Sequence, residues 1–389
     1  MKKDVQQDRR WAVERFFSGE RPHSICVSLE HSRSWLYKWL DRYESDDPLW
    51  YQDKSRRPIN PGQCTAAEVE EQVKLIRLSL YNNGAFCGAQ AVQWEMQDLG
   101  LPHIPSLRTI NRILSRNDLT NRRTGRYQPK GKAYPVLLAE HPNQTHQADF
   151  VGPCYLKGPI RFYSLNMVDI CTGRCGVEPL CSRSGQAIID GFWAAWKRLG
   201  IPHDLQVDNE MSFYGSPTHP RGMGPLIRLC LHHNINLWFI PPAEPWRNGV
   251  VEKFNDHYKQ KHLQKVTISS KTELLQASHD FEYRHNSQYR YSKLGGKTPL
   301  ATLAMMSKKL CFPKTEQAPK YPLKKPEAGF YHLVRFIRSD LKLNVFGEIF
   351  MLPSELQYEY VVATIDVKEQ KLKVFLNSSI VEELNYKLR

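Results

Sequence analysis

The sequence predicts a multidomain α/β protein, and three changes of pattern along its 389 residues predict it. Up to residue 116 the apolar residues recur at helical spacing. From 144 to 264, three strand-like stretches give way to alternating helices and strands, as in a mixed sheet with helices on both faces. From 329 onward come short strands at regular spacing, the pattern of a small β-barrel. A chain this long is expected to hold two to four domains, each able to bury its own core.

Residues 1–60 read as a first helical unit. Trp11, Phe16 and Phe17 share a helical face, and Gly19 with Pro22 breaks the run. SICVSLEHSRSWLYKWLDRYE (24–44) then gives a helix, a turn near Glu30-His31 and a second helix. Ser32 can cap that second helix, and Trp35, Leu36, Trp39 and Leu40 form its apolar side. Arg33, Ser34, Tyr37 and Lys38 fall on the other side, free to face DNA if this is a helix-turn-helix. An ordinary helical hairpin is the competing reading. Residues 47–64 carry DDP, RRP and NPG and read as a linker.

Residues 61–128 read as a second unit of the same kind. Thr65 with Glu68 forms a capping box before Val69, Val73, Ile76 and Leu80. In SLRTINRILSRN (106–117), Ser106 is the cap and Leu107, Ile110, Ile113 and Leu114 the buried face. Arg108, Asn111 and Arg112 are left outside. Residues 129–143 are a basic linker, 144–306 the mixed-sheet domain with a helical extension, 307–328 a Pro- and Lys-rich linker, and 329–389 the barrel.

The net charge of +14 favours a polyanionic partner. It is concentrated in 108–132, where Arg122, Arg123 and Arg126 are placed to hold phosphates, and in 270–329. No run of eighteen apolar residues is present, so no membrane span is expected. MKKDVQQDRR lacks the apolar core of a signal peptide. The irregularly spaced cysteines fit a reducing cytoplasm. Cys171, Cys175 and Cys181 lack paired metal spacing and read as thiols in strands. No Walker sequence appears, so ATP hydrolysis is not expected.

Three acids lie where a metal site can be built. Asp149 is inside the first strand, Asp208 ends the fourth, and Glu252 is in the first turns of the helix after IPPAEPWRNG. Bare carboxylates in one cleft would repel each other, so their convergence implies cations. Mg²⁺ takes few protein oxygens and fills its shell with water and phosphate. Two such ions can stabilise both the attacking and the leaving oxygen of an in-line phosphoryl displacement. Nearby, Asp169 reads as a turn former and Glu210 as a substitute ligand. Asn209 is placed to orient a phosphate or water, Asn248 with Gly249 to shape the turn that delivers Glu252 and to meet DNA, and Trp246 to stack on a base or to cover the core.

The segment 144–262 resembles the catalytic core of the retroviral-integrase and DDE transposase superfamily. The motifs are QTHQADF at Asp149, VDNE at Asp208 and FIPPAEPWRNGVVEKFN at Glu252. With its flanks, the chain is similar to bacterial insertion-sequence transposases of the IS481 and IS3-like group, in a Mu-type layout. That resemblance implies an RNase H-like core with a five-stranded mixed sheet. It implies Asp149, Asp208 and Glu252 as catalytic residues and ligands of two Mg²⁺ or Mn²⁺ ions, Asp149 bridging both. It also implies Lys259 at the DNA, element ends and target DNA as substrates, and a homo-oligomer assembled on DNA. Accessory transposition proteins and a bacterial, nucleoid-associated location follow from the same source. The expected reaction is cleavage at the element's 3′ ends followed by strand transfer. A silent DNA-binding regulator derived from such an enzyme and a nuclease of the same fold are the alternatives. Two departures stand out. The interval from Asp208 to Glu252 is longer than is common in the family, with FYGSPTHPRGMGP (213–225) as the extra loop. The His/Cys zinc module of retroviral enzymes is missing.

Overall fold

The computed structural model describes residues 5–45, 47–54, 65–120, 133–155, 161–216 and 218–389. The chain divides into two compact units, Met1–Ala66 and Ala67–Arg389.

In the first unit, α1 (Val5–Phe17), α2 (Pro22–Leu29) and α3 (Arg33–Tyr43) enclose Ala12, Val13, Ile25, Leu36, Trp39 and Leu40. The turn between α2 and α3 is made by Glu30 in the left-handed region (φ 59°), and the Ser32 hydroxyl accepts from Trp35 N. The Arg9 guanidinium is buried over the Trp39 ring at 4.0 Å and donates to Tyr51 O at 2.7 Å. It thereby ties the segment after α3 to α1.

The second unit begins with α4 (Ala67–Asn82), α5 (Ala89–Asp98) and α6 (Leu107–Arg116) around Val73, Ile76, Val92, Met96, Ile110, Ile113 and Leu114. Leu107, expected inside, is exposed at the first turn of α6. These helices are not a free module, because they belong to the same compact unit as the sheet. Phe86 sits among the rings of His257, Tyr289 and Tyr291, with centroids 4.8–5.2 Å away. Tyr289 Oη donates to Gly84 O at 2.7 Å, and Lys261 Nζ to Ala85 O at 2.9 Å. Gly296 (φ +82°) lies against the Trp94 ring, where a Cβ would meet it at 2.7 Å.

The sheet follows. β1 (Thr145–Tyr155), β2 (Arg161–Asp169) and β3 (Cys175–Leu180) form an antiparallel meander. α7 (Gly185–Leu199) leads to β4 (Asp204–Val207). α8 (Met211–Tyr214) and α9 (Pro225–His232) precede β5 (Asn236–Phe239), and α10 (Gly249–Tyr258), α11 (Lys271–Gln288) and α12 (Pro299–Ala304) complete the helices. β1–β4 and β4–β5 are parallel pairs. α7 and α9 cover one face with Leu165, Met167 and Leu205; α10 and α11 cover the other over Val151, Val168 and Val177. This is the mixed sheet with helices on both faces that the sequence predicts.

The sheet has nine strands rather than five, in the order β11-β10-β9-β6-β5-β4-β1-β2-β3. β6 (Phe330–Phe336) pairs parallel with β5, and β9 (Tyr360–Asp366), β10 (Lys371–Leu376) and β11 (Ser379–Asn385) extend it antiparallel. β7 (Lys342–Val345) and β8 (Glu348–Met351) form a separate hairpin. The expected free-standing barrel is therefore an extension of the core sheet. The reason is burial: Leu333, Leu343, Val345, Ala363 and Val374 share one apolar cluster with Leu205, Leu237 and Phe239. The 213–225 loop serves this extension. Tyr214 stacks on Phe346 at 4.4 Å, and Tyr386 Oη donates to Pro220 O. Residues 307–328 are a strap rather than a loose linker, for Trp193 Nε1 donates to Thr315 O and Tyr321 N to Gln186 Oε1.

Arg335 on β6 fastens the extension to the core. It is buried without a carboxylate and donates to Ile240 O (3.1 Å), Asn344 O (2.9 Å) and Asn209 Oδ1 (2.9 Å). Replacing it strands those acceptors, each costing about 1–3 kcal/mol when left unmet. Arg335→Met is expected to lower unfolding stability by roughly 2–4 kcal/mol in chemical denaturation, by the same penalty.

Candidate active site

β1 and β4 lie in parallel register, Thr145 opposite Asp204 and Gln147 opposite Gln206. Carried two residues further, that register sets Asp149 opposite Asp208, at the end of β4. Adjacent strands lie about 4.8 Å apart, so the two carboxylates share one edge of one face. Glu252 comes to them from above, in the first turn of α10.

Its delivery depends on Gln147 and Gln206, not singled out in the sequence, together with Asn248. Gln147 Oε1 accepts from Val250 N (3.0 Å) and Val251 N (3.2 Å), two of the free N–H groups that begin a helix. Gln147 Nε2 and Gln206 Nε2 both donate to Arg247 O, at 3.3 and 2.7 Å. Asn248 Nδ2 donates to Ala148 O at 3.0 Å. The start of α10 is thus bolted to β1 and β4 beside both aspartates. The sequence signal for Gln147 was a polar residue facing inward two places before Asp149.

Asp149 is half-buried. Its Oδ1 accepts from Phe150 N (2.7 Å) and its Oδ2 from Asn255 Nδ2 (2.8 Å). Asn255 is held in turn by Asn166 Nδ2 (2.8 Å), and Asn166 by the Ser164 hydroxyl (2.7 Å). Asp208 Oδ1 accepts from Glu210 N. Burial, then the Asp208 charge, and further the Glu252 charge push the Asp149 carboxyl up to about 7; Phe150 N and Lys259 oppose this. Asp208 is pushed up to about 6, first by burial and then also by Glu210. Glu252 is raised by burial and by Asp256. The carboxyl of Asp149 thus feels the charges of both other acids.

Among the described residues, no three Asp, Glu, His or Cys side chains are grouped so as to hold one ion together. A two-ion site does not need such a trio, since a bridging acid leaves each ion two carboxylates and a shell of water and phosphate. The donor set here is all hard oxygen, which suits such ions.

Other expected residues divide. Arg33, Tyr37 and Lys38 are exposed on α3, and Arg108, Asn111 and Arg112 on α6. Trp246 is 54% exposed, in the 3₁₀ turn Pro245–Asn248. Lys259 is exposed just after α10. Arg122, Arg123 and Arg126 lie outside the described residues. Asn248 is buried and spent on Ala148 O, so it is a brace rather than a DNA contact. Asn209 is likewise engaged, donating to Ile240 O and accepting from Arg335. Glu210 pairs with Arg183 at 2.8 Å, which removes it as a free substitute ligand. Asp169 is a turn former, accepting from Thr172 Oγ1, Cys171 N and Asn143 N. Of the three clustered thiols only Cys175 is buried. No helix among the described residues is long and apolar enough to cross a membrane.

Comparison with known proteins bears on this site. The family described as integrase core domain matches residues 233–299, the stretch that carries Glu252. Among solved structures, the HTLV-2 integrase catalytic core domain in complex with magnesium is 20% identical. That match covers 42% of this chain and 97% of that one, at a TM-score of 0.33. The simian T-cell lymphotropic virus intasome in complex with PP2A regulatory subunit B56 gamma is 15% identical, covering 82% and 97%, at 0.37. The catalytic core domain of BIV integrase is 15% identical, covering 42% and 94%, at 0.32.

Two outcomes follow. The raised carboxyls of Asp149 and Asp208 favour the protonated fold, against about 3.9 for an unfolded aspartate. Stability from this source is complete below about pH 4 and is lost as pH climbs to the folded values near 6 and 7. In metal-free protein, the melting temperature of Asp149→Asn should therefore gain on wild type between pH 5 and 8. Added Mg²⁺ at pH 8 should raise wild type alone. Separately, Gln147→Ala unpairs two helix N–H groups and should cost about 1–3 kcal/mol in denaturant titration.

Proposed function

We propose, from an integrase core domain shared with the DDE transposase and retroviral-integrase superfamily, that this chain is a DDE transposase. It would cleave DNA at the 3′ ends of a mobile element and join those ends to target DNA. The single observation carrying the reading is the register that sets Asp149 beside Asp208, with Glu252 braced above them through Gln147.

In this reading, Asp149, Asp208 and Glu252 would together hold two Mg²⁺ or Mn²⁺ ions. When bound, those ions lower the pKa of the attacking water and stabilise the charge on both oxygens of the displacement. The protein positions. Asn255 donates to Asp149 and so orients its carboxylate. Lys259, whose charge favours the ionised Asp149, stands one helix length from Glu252 to hold a DNA phosphate. Trp246 offers an exposed ring to a base. In the first step a water oxygen attacks the phosphorus at the element end and the 3′ oxygen leaves, taking a proton. In the second, that 3′ hydroxyl attacks a target phosphorus, its proton passing to solvent, and the target's own 3′ oxygen departs. Both are in-line displacements that one site can serve in turn.

The exposed residues of α3 and α6 suit major-groove reading of the element ends, and Arg122, Arg123 and Arg126 suit backbone contacts. Joining two ends to one target calls for more than one copy, assembled on DNA. The test is strand transfer with the element's own ends in Mg²⁺ or Mn²⁺. Asp208→Asn should lower joining by roughly a hundredfold or more, the scale on which removing one stabilising group acts, while end binding is retained. Equal joining by the variant would refute the assignment of the acids. Binding without joining by wild type would leave a silent regulator, and cleavage without joining a nuclease.

A further inference from the structure

A second recess opens on the same sheet face as the carboxylates. The paired residues Gln147, Gln206, Trp238, His332 and Thr364 form one row across β1, β4, β5, β6 and β9. Alternation along a strand puts Asp149 and Asp208, two places on, on that face too. The far half of the row floors a cavity of about 540 Å³, walled by Tyr134, Tyr360 and Phe375. That volume is within the range of small-molecule sites.

Its lining combines flat rings with polar edges. Trp238 and His332 stack at 4.1 Å. His332 bonds through Nδ1 to Thr364 Oγ1 at 2.9 Å, and Nε2 has no partner among the described residues. Burial pushes the imidazole down to about 4, so it is neutral near pH 7 and offers one ring nitrogen. At the rim, the Arg247 guanidinium lies over Tyr134 at 3.9 Å and Tyr360 at 5.0 Å. Arg247 is in the turn that leads into α10, so the rim touches the element carrying Glu252. The cavity floor, from β5 to β9, lies one to three strand spacings from β4, roughly 5–14 Å.

We infer that this cavity takes an unpaired nucleobase of the DNA held at the carboxylates, a few nucleotides from the cleaved phosphate. The inference rests on the transposase reading for its substrate. Four aromatic walls and a neutral imidazole edge suit a base, which has two π faces and a hydrogen-bonding rim. A base in an intact duplex offers neither face; an extruded or single-stranded base offers both.

The test uses the full chain without divalent cation, so that no strand is cut. The probes are a short oligothymidylate carrying one 2-aminopurine, single-stranded, and the same oligonucleotide as a blunt duplex. Wild type should change the 2-aminopurine emission on binding the single strand. Phe375→Ala should weaken single-strand binding by roughly tenfold, the scale of one lost stacking partner, with duplex binding unchanged. Val362→Trp, which fills the cavity without removing a wall, should act likewise and guards against misfolding of the first variant. Unchanged single-strand affinity and emission in both variants would overturn the inference and leave the transposase reading intact. A changed oligomeric state in Val362→Trp, with base binding unaltered, would overturn it in favour of a protein segment. Failure to bind either probe would remove the DNA reading as well.

Discussion

The active-site geometry depends on the amide of Gln147. A helix start presents N–H groups with no partner inside the helix, and here two of them are met by a side chain from the neighbouring strand. The same amide donates its own hydrogen to Arg247 O, where Gln206 joins it from β4. Three elements that carry the three acids are therefore held to one another by hydrogen bonds within two residues of each acid. The backbone that carries Glu252 is thereby fixed beside β1.

Such a cluster of acids is costly without cations. Burial raises both Asp149 and Asp208, the Asp208 and Glu252 charges raise Asp149 further and the Glu210 charge raises Asp208, and neither acid is wholly enclosed. Around them, the polar groups are already committed: Asn248 to Ala148, Asn209 to Ile240, Glu210 to Arg183. The surroundings are thus a brace, and the acids are the part left available.

The C-terminal strands add to this brace. A barrel standing alone would bury only its own inner face. Joined to β5 through β6, it shares the apolar cluster of the core, and Arg335 reaches from β6 to the loop that follows Asp208. The α4–α6 layer is likewise seated, through Phe86, on helices continuous with α10. Parts that look separable along the chain are mechanically tied to the site.

The sequence by itself determined the elements and the candidate acids. Helical spacing, the Ser32 and Ser106 caps and the strand runs around Asp149 and Asp208 are local signals, written in neighbouring residues. Only the tertiary structure decided which polar residues serve the fold. Asn248 and Asn209 looked like DNA contacts because sequence cannot show that their amides are buried against Ala148 and Ile240. Gln147 and Asn255 passed unremarked because their partners lie about a hundred residues away. The barrel became a sheet extension for the same reason: strand pairing between β5 and β6 is a long-range contact, set by shared burial rather than by either strand's own pattern.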